Sequence, residues 1–221
     1  MRKRLRISSL AGFACGLLVA VAGGSARSDS LLLKLSTHIN GTTPGDATPW
    51  VTADFESTTA GTVTLTITNT MQSAEYLHDF LFNTLSTVNP SNLTITQTGG
   101  AATPTTIHQG ENGYNGGSQT QAGLFDVEMT WSANVFAGQD TAIFKITGTN
   151  ITAATFDAFS TVSSGTAYLA AADVRNIQPG GASGSIGTQT AVVPEPTSGV
   201  LGLIGLAGVS SFRWYRRRKS S

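Results

Sequence analysis

Three histidines and a few carboxylates are the residues of this chain whose types could support chemistry. His38, His78 and His108 stand forty and thirty residues apart, so no His-x-x-x-His or comparable spacing brings two imidazoles to one metal locally. Asp79 follows His78, an order that suggests an acid–base pair. On a regular strand neighbouring side chains point to opposite faces, and the two are expected to stay apart. Asp126 and Glu128 lie two apart and would share one face of a strand. Paired carboxylates of this kind could serve glycoside hydrolysis or, with loop oxygens, hold Ca²⁺. The solvated face of an amphipathic strand would show the same pair. The segment Gly110-Glu111-Asn112-Gly113-Tyr114-Asn115-Gly116-Gly117 could bind a saccharide, with Tyr114 stacking on a ring and Glu111, Asn112 and Asn115 supplying hydrogen bonds. Its composition also suits a plain Gly/Asn-rich turn. There is no Gly-x-Ser-x-Gly elbow and no phosphate loop. No catalytic residue and no metal ligand is assigned on these grounds. The expectation is a protein that is not an enzyme and needs no cofactor, Ca²⁺ being the one ion to consider.

The elements that must position these residues read as strands. The middle of the chain is rich in Thr, Ser, Gly, Ala and Asn and poor in Lys, Glu and Leu, which disfavours long helices. Thr62 to Thr68 alternates threonine with Val63, Leu65 and Ile67, the pattern of a strand with one buried face. Leu31–Ser36, Trp50–Phe55, His78–Phe82, Leu93–Thr98, Leu124–Trp131, Thr141–Thr147 and Ala167–Val174 read similarly. In Leu124–Trp131, Phe125, Val127, Met129 and Trp131 would share the core face, opposite Asp126, Glu128 and Thr130. Turn-forming clusters at 41–45, 89–92, 99–104, 110–117 and 138–140 separate the strands. A short helix is expected at Ala153–Phe159. The reading is an all-β antiparallel sandwich, jelly-roll or Ig-like, over residues 27–178. Residues 179–191, rich in glycine and small polar residues, read as a flexible linker.

Charge is distributed unevenly. The 13 basic and 13 acidic residues cancel formally. Yet four bases lie at the start and five at the end, leaving residues 27–193 with four bases, twelve acids and a formal charge of −8. A body so acidic lacks the positive surface that nucleic acid requires.

The two ends carry targeting patterns. Met-Arg-Lys-Arg-Leu-Arg opens the chain, an apolar run follows from Leu10 to Ala22, and Gly24 and Ala26 provide a small-residue exit. These are the parts of a secretory signal peptide over residues 1–26, which implies a Sec-type export machinery. Cys15, the only cysteine, lies inside the apolar run, so the processed chain would hold no thiol and no disulfide. At the other end, residues 192–221 contain Pro194-Glu195-Pro196. An uncharged run follows from Thr197 to Phe212, then Trp214 and Tyr215, and a basic cluster of Arg213, Arg216, Arg217, Arg218 and Lys219. Sixteen apolar or small residues span roughly 24 Å as a helix. Interfacial aromatics and snorkelling arginines extend this to a membrane segment at 197–215 with its C-terminus in the cytoplasm.

This tail closely resembles the PEP-CTERM sorting signal in its three ordered elements. The resemblance covers about thirty of 221 residues. It implies recognition by an exosortase at Pro194, Glu195 and Pro196, with processing near them. It also implies a destination at the cell surface or in the extracellular matrix of a bacterium that produces exopolysaccharide. Ala170 to Ile177 is similar to the Ala-Ala-His-Val-Gln-Gly-Ile ending of many proteins with such tails, with Asp173 and Arg175 in place of the His and Gln. The expected function is therefore a non-enzymatic, surface-sorted matrix protein. The alternatives are a module binding extracellular polysaccharide and a divergent secreted hydrolase using Asp126 or Glu128.

Overall fold

A computed structural model describes residues 29–115 and 122–192. They form thirteen strands: β1 Ser30–Leu35, β2 Thr37–Gly41, β3 Val51–Thr59, β4 Thr62–Asn69, β5 Tyr76–Phe82, β6 Thr94–Gly100, β7 Thr106–Asn115, β8 Leu124–Thr130, β9 Phe136–Ala137, β10 Thr141–Thr147, β11 Ala170–Ile177, β12 Ala182–Thr188 and β13 Ala191–Val192. All strand pairs between them are antiparallel. One sheet runs β13-β1-β3-β4-β10-β6 and the other β2-β12-β11-β5-β8-β7, with β9 paired to β5. The expectation of an all-β chain is met.

Alternation dictates the core. Val63, Leu65 and Ile67 of β4 are fully buried while the threonines between them face outward, partly exposed. Their cross-strand partners on β3 and β10, among them Phe55, Ala53, Phe144 and Ile146, are buried with them. The other sheet contributes Leu77, Phe80, Phe82, Val127, Met129, Ala172 and Val174 to the same cluster. Phe55 is where the layers meet. Its ring stacks on Phe156 at 4.6 Å and meets the edge of Phe82 at 5.4 Å. Each such aromatic buries roughly 150–250 Å².

Two expectations about local structure are corrected. The helix expected at Ala153–Phe159 is a single 3₁₀ turn over Ala153–Phe156, closed at Asp157. The linker expected at 179–191 is largely sheet. β12 lies between β11 and β2, and Ser185, Ile186 and Thr188 within it are buried. Its small residues reflect crowding rather than freedom. A Cβ on Gly187 would stand 2.8 Å from Tyr168 Cδ1 and 2.9 Å from Ile39 Cδ1, and one on Gly184 would collide with the Thr42 backbone. Glycine inside a strand marks such a close approach.

The body therefore ends beyond residue 188, which truncation tests directly. A chain ending at Pro179 should lose cooperative unfolding in urea and expose its apolar core to a hydrophobic dye. One ending at Val192 should unfold in a single sharp transition.

Candidate functional site

Asp126 is the organising residue of one candidate site. Its place on β8 was expected to be solvated, but it is only 6% exposed. A register break in β7 accounts for this. Gln109 pairs with Val127 and Tyr114 with Phe125, so four β7 residues from Gly110 to Gly113 face only Asp126. The excursion folds over the carboxylate. Asn112, at φ 49°, donates its backbone N–H to Asp126 Oδ1 at 2.9 Å. Oδ2 accepts from the Thr84 backbone N–H at 2.9 Å and the Thr84 hydroxyl at 3.0 Å. The Asp126 N–H in turn donates to Asn83 Oδ1 at 3.0 Å. A buried carboxylate tolerates its surroundings when donors surround it in this way. The same break takes Phe125 out of the expected row. It packs with Leu81, Ala122, Tyr168 and Ala171 in a second, smaller cluster, whereas Val127, Met129 and Trp131 stay in the main core.

Around this hub lies an open cleft lined by residues 83–90, Glu111, Asn112, Asp126, Asp157, Phe159 and Thr161 among others. Two large apolar side chains stand free in it, Phe159 at 56% and Leu85 at 42% exposure. Asn83 is 3% exposed, and its Nδ2 has no hydrogen-bond partner. The Asp126 N–H fixes which end of the Asn83 amide is oxygen, so the orphan is the donor. A donor left unpaired in this way costs about 1–3 kcal/mol, which an incoming acceptor relieves.

The four residues expected to form one saccharide site are divided. Glu111 and Asn112 line the cleft. Tyr114 is half-buried, stacked on the His108 ring at 5.7 Å and packed against the second cluster. Asn115 lines a different depression with Ile39, Leu124, Thr161 and Tyr168. Gly110 to Asn115 belong to β7 rather than to a free turn, while Gly116 and Gly117 lie outside the described residues. Asn83, Leu85, Asp157 and Phe159 were not singled out from the sequence. No local pattern marks them, since their place follows from contacts distant in sequence such as that of Asn83 with Asp126.

A second polar constellation occupies β5, β8 and β11. Here the expectation that His78 and Asp79 stay apart is overturned. Leu77 pairs with Val174 and Asp79 with Asp173, so His78 is an extra residue, a β-bulge. Leu77 and Phe80 both enter the main core, and the two residues between them share the opposite side. His78 Nδ1 lies 2.9 Å from Asp79 Oδ2 and 3.9 Å from Asp173 Oδ2. Arg175 Nε donates to Asp173 Oδ2 at 2.9 Å. His108 is opposite Glu128 in the β7–β8 register. Burial, then the nearby Asp79 charge, pushes the Glu128 carboxyl up, against the pull of His108 and His78. Burial also raises Asp173, and the Arg175 hydrogen bond opposes it.

In comparisons with known proteins, no family model, curated protein or solved structure matches this chain. Among the described residues no helix is long and apolar enough to cross a membrane. The signal peptide, the Pro194–Pro196 motif, the segment 197–215 and the basic cluster from Arg213 to Lys219 lie outside the described residues.

The Glu128 environment carries a pH signature. The folded state holds its proton more tightly than the unfolded chain, whose carboxyl titrates near the ordinary 4.5. Stability therefore falls as pH rises from that value through the raised one. In metal-free buffer Glu128→Gln should raise Tm at pH 7 and reduce the slope of Tm against pH, while matching the parent near pH 4. An unchanged slope would show that burial and Asp79 do not act on this carboxyl.

Proposed function

We propose that the chain is an exported, non-enzymatic protein of the bacterial cell surface or extracellular matrix, sorted by an exosortase. The observation that carries this reading is the order of its tail: Pro194-Glu195-Pro196, an uncharged segment, then Arg213, Arg216, Arg217, Arg218 and Lys219. Two prolines prevent helix and sheet pairing there, which suits an extended protease substrate just outside the bilayer. The signal peptide starts inside and the tail ends inside, so the β body between them faces outward. Placement of the acidic surplus in that body, with the bases at the two ends, agrees with this topology. The chain passes from one sheet to the other at most of its connections, the manner of a jelly roll, which favours that member of the two expected sandwich topologies.

Mass spectrometry of the chain made with and without an exosortase tests the sorting claim. With the enzyme, the product should lose everything C-terminal to the Pro194–Pro196 region. An intact tail in both preparations would overturn it.

Polysaccharide binding is the second reading, and the cleft at Asn83 favours it. A saccharide ring needs an apolar surface for its C–H face and fixed donors and acceptors for its hydroxyls. Phe159 and Leu85 offer the first, Asn83, Glu111, Asn112 and Asp157 the second. This moves the proposed contact away from Tyr114 and Asn115. The hydrolase reading draws no support from Asp126, whose two oxygens are taken up by three donors. In affinity electrophoresis through gels containing exopolysaccharide, Phe159→Ala should abolish retardation without lowering Tm, since Phe159 is exposed. Retardation lost instead on Tyr114→Ala would return the site to the sequence-based position.

A further inference from the structure

We propose that His78, Asp79 and Asp173 form a binding site for a divalent transition-metal ion of the Zn²⁺ class. The three offer one ligand atom each, and these atoms lie within 4.8 Å of one another. Ligand atoms at about 2.0–2.2 Å from a Zn²⁺ ion stand roughly 3.0–3.5 Å apart, depending on the coordination angle. The observed separations from His78 Nδ1, 2.9 Å and 3.9 Å, bracket that range. Small side-chain rotations of Asp79 and Asp173 would bring the three atoms to common coordination distances.

The imidazole supplies the second observation. Its Nδ1 is closed off from solvent and makes no hydrogen bond, although Asp79 Oδ2 is only 2.9 Å away. The carboxylate stands off the line that an N–H would need. A buried ring nitrogen close to a carboxylate oxygen yet not hydrogen-bonded to it is a free ligand atom beside a second one. Imidazole with carboxylates suits Zn²⁺ and its first-row neighbours; the nitrogen ligand argues against Ca²⁺ or Mg²⁺, which prefer oxygen alone. The His78 side chain is 21% exposed, through ring atoms other than Nδ1.

Charge points the same way. Asp79 and Asp173 face each other in the β5–β11 register, with Glu128 near enough to be felt electrostatically. Among the described residues Arg175 is the one guanidinium against them. It is also the competitor, since it occupies the Asp173 oxygen nearest His78. Its side chain is 42% exposed and can swing out to solvent when an ion takes its place. The ion would then join β5 to β11 across the bulge, where the register is interrupted and the ladder is weakest.

The decisive comparison sets this site against a purely structural ion-pair cluster. Zn²⁺ is titrated into the full-length chain in detergent by calorimetry, after exposure to EDTA. Saturable binding at one ion per chain is expected, weakened by at least about tenfold in both His78→Ala and Asp173→Asn. Arg175→Gln should tighten binding, because it removes the competing cation. An ion-pair cluster predicts the opposite pattern: Arg175→Gln lowers Tm and leaves Zn²⁺ affinity unchanged. His38 and His108 are alternative surface ligands, so retention of full affinity in His78→Ala would overturn the proposal. Should the variants fail to fold, the parent chain still decides. The imidazole ¹⁵N resonances of one histidine should shift on Zn²⁺ addition with the Nδ1 signal moving most, and shifts absent from all three histidines would overturn the site.

Discussion

The stack of Phe55 on Phe156, with Phe82 against their edges, is the contact on which both the fold and the cleft depend. Phe55 belongs to one sheet, Phe82 to the other, and Phe156 to the 3₁₀ turn that closes over them. The chain must hold its layers together by apolar packing, because the described residues contain no cysteine to crosslink them. The three rings do this near one edge. They also fix the segment that follows: Asp157 closes the turn and Phe159 emerges three residues after Phe156. The Leu85 backbone N–H donates to the Thr155 carbonyl at 2.8 Å, tying the opposite wall of the cleft to the same turn. The two exposed apolar side chains of the cleft are thus carried by segments tied to the buried aromatic cluster.

Asp126 extends that order to the polar side. A carboxylate that is 6% exposed would be costly without partners, and its three donors come from two separate segments, Thr84 and Asn112. Removing it would release both. The same residue uses its backbone to hold Asn83, so one side chain sets the positions of several polar groups around the cleft. The resulting site sets hydrogen-bonded polar groups beside the exposed apolar side chains of Leu85 and Phe159.

How far the sequence could be read follows from the range of the forces involved. Alternation is local, so Val63-Thr64-Leu65-Thr66-Ile67 announces its strand without reference to anything else. Strands whose residues are set by their neighbours are harder. β12 reads as a linker because Gly184 and Gly187 are dictated by Thr42, Tyr168 and Ile39, all distant in sequence. The bulge at His78 defeats the rule that adjacent side chains diverge, and nothing in the local string His-Asp-Phe announces an extra residue. Of the expected saccharide residues, Glu111 and Asn112 reach the cleft because a register break in β7 carries them there. Tyr114, two positions on, falls back into regular pairing and is drawn to His108. Asn83 could not have been found from its neighbours, since its significance lies in a bond to a strand more than forty residues away.

The two sheets turn different outer faces to their surroundings, and this bears on what the body does. The outer face carrying Thr52, Thr64, Thr66, Thr68 and Thr141 is rich in hydroxyls, as in the Thr68–Thr141 contact at 3.4 Å, and sets Lys34, Asp54, Glu56 and Lys145 among them. It offers many similar donors and acceptors, with charges of both signs between them. The opposite sheet concentrates the titratable groups His78, Asp79, His108, Glu128, Asp173 and Arg175 on three neighbouring strands and the one beside them. One outer face thus mixes hydroxyls with scattered charges, and the other gathers carboxylates and imidazoles into a close set. Both faces keep their arrangement only while the sheets stay packed on the Phe55 contact, where rings from each layer meet.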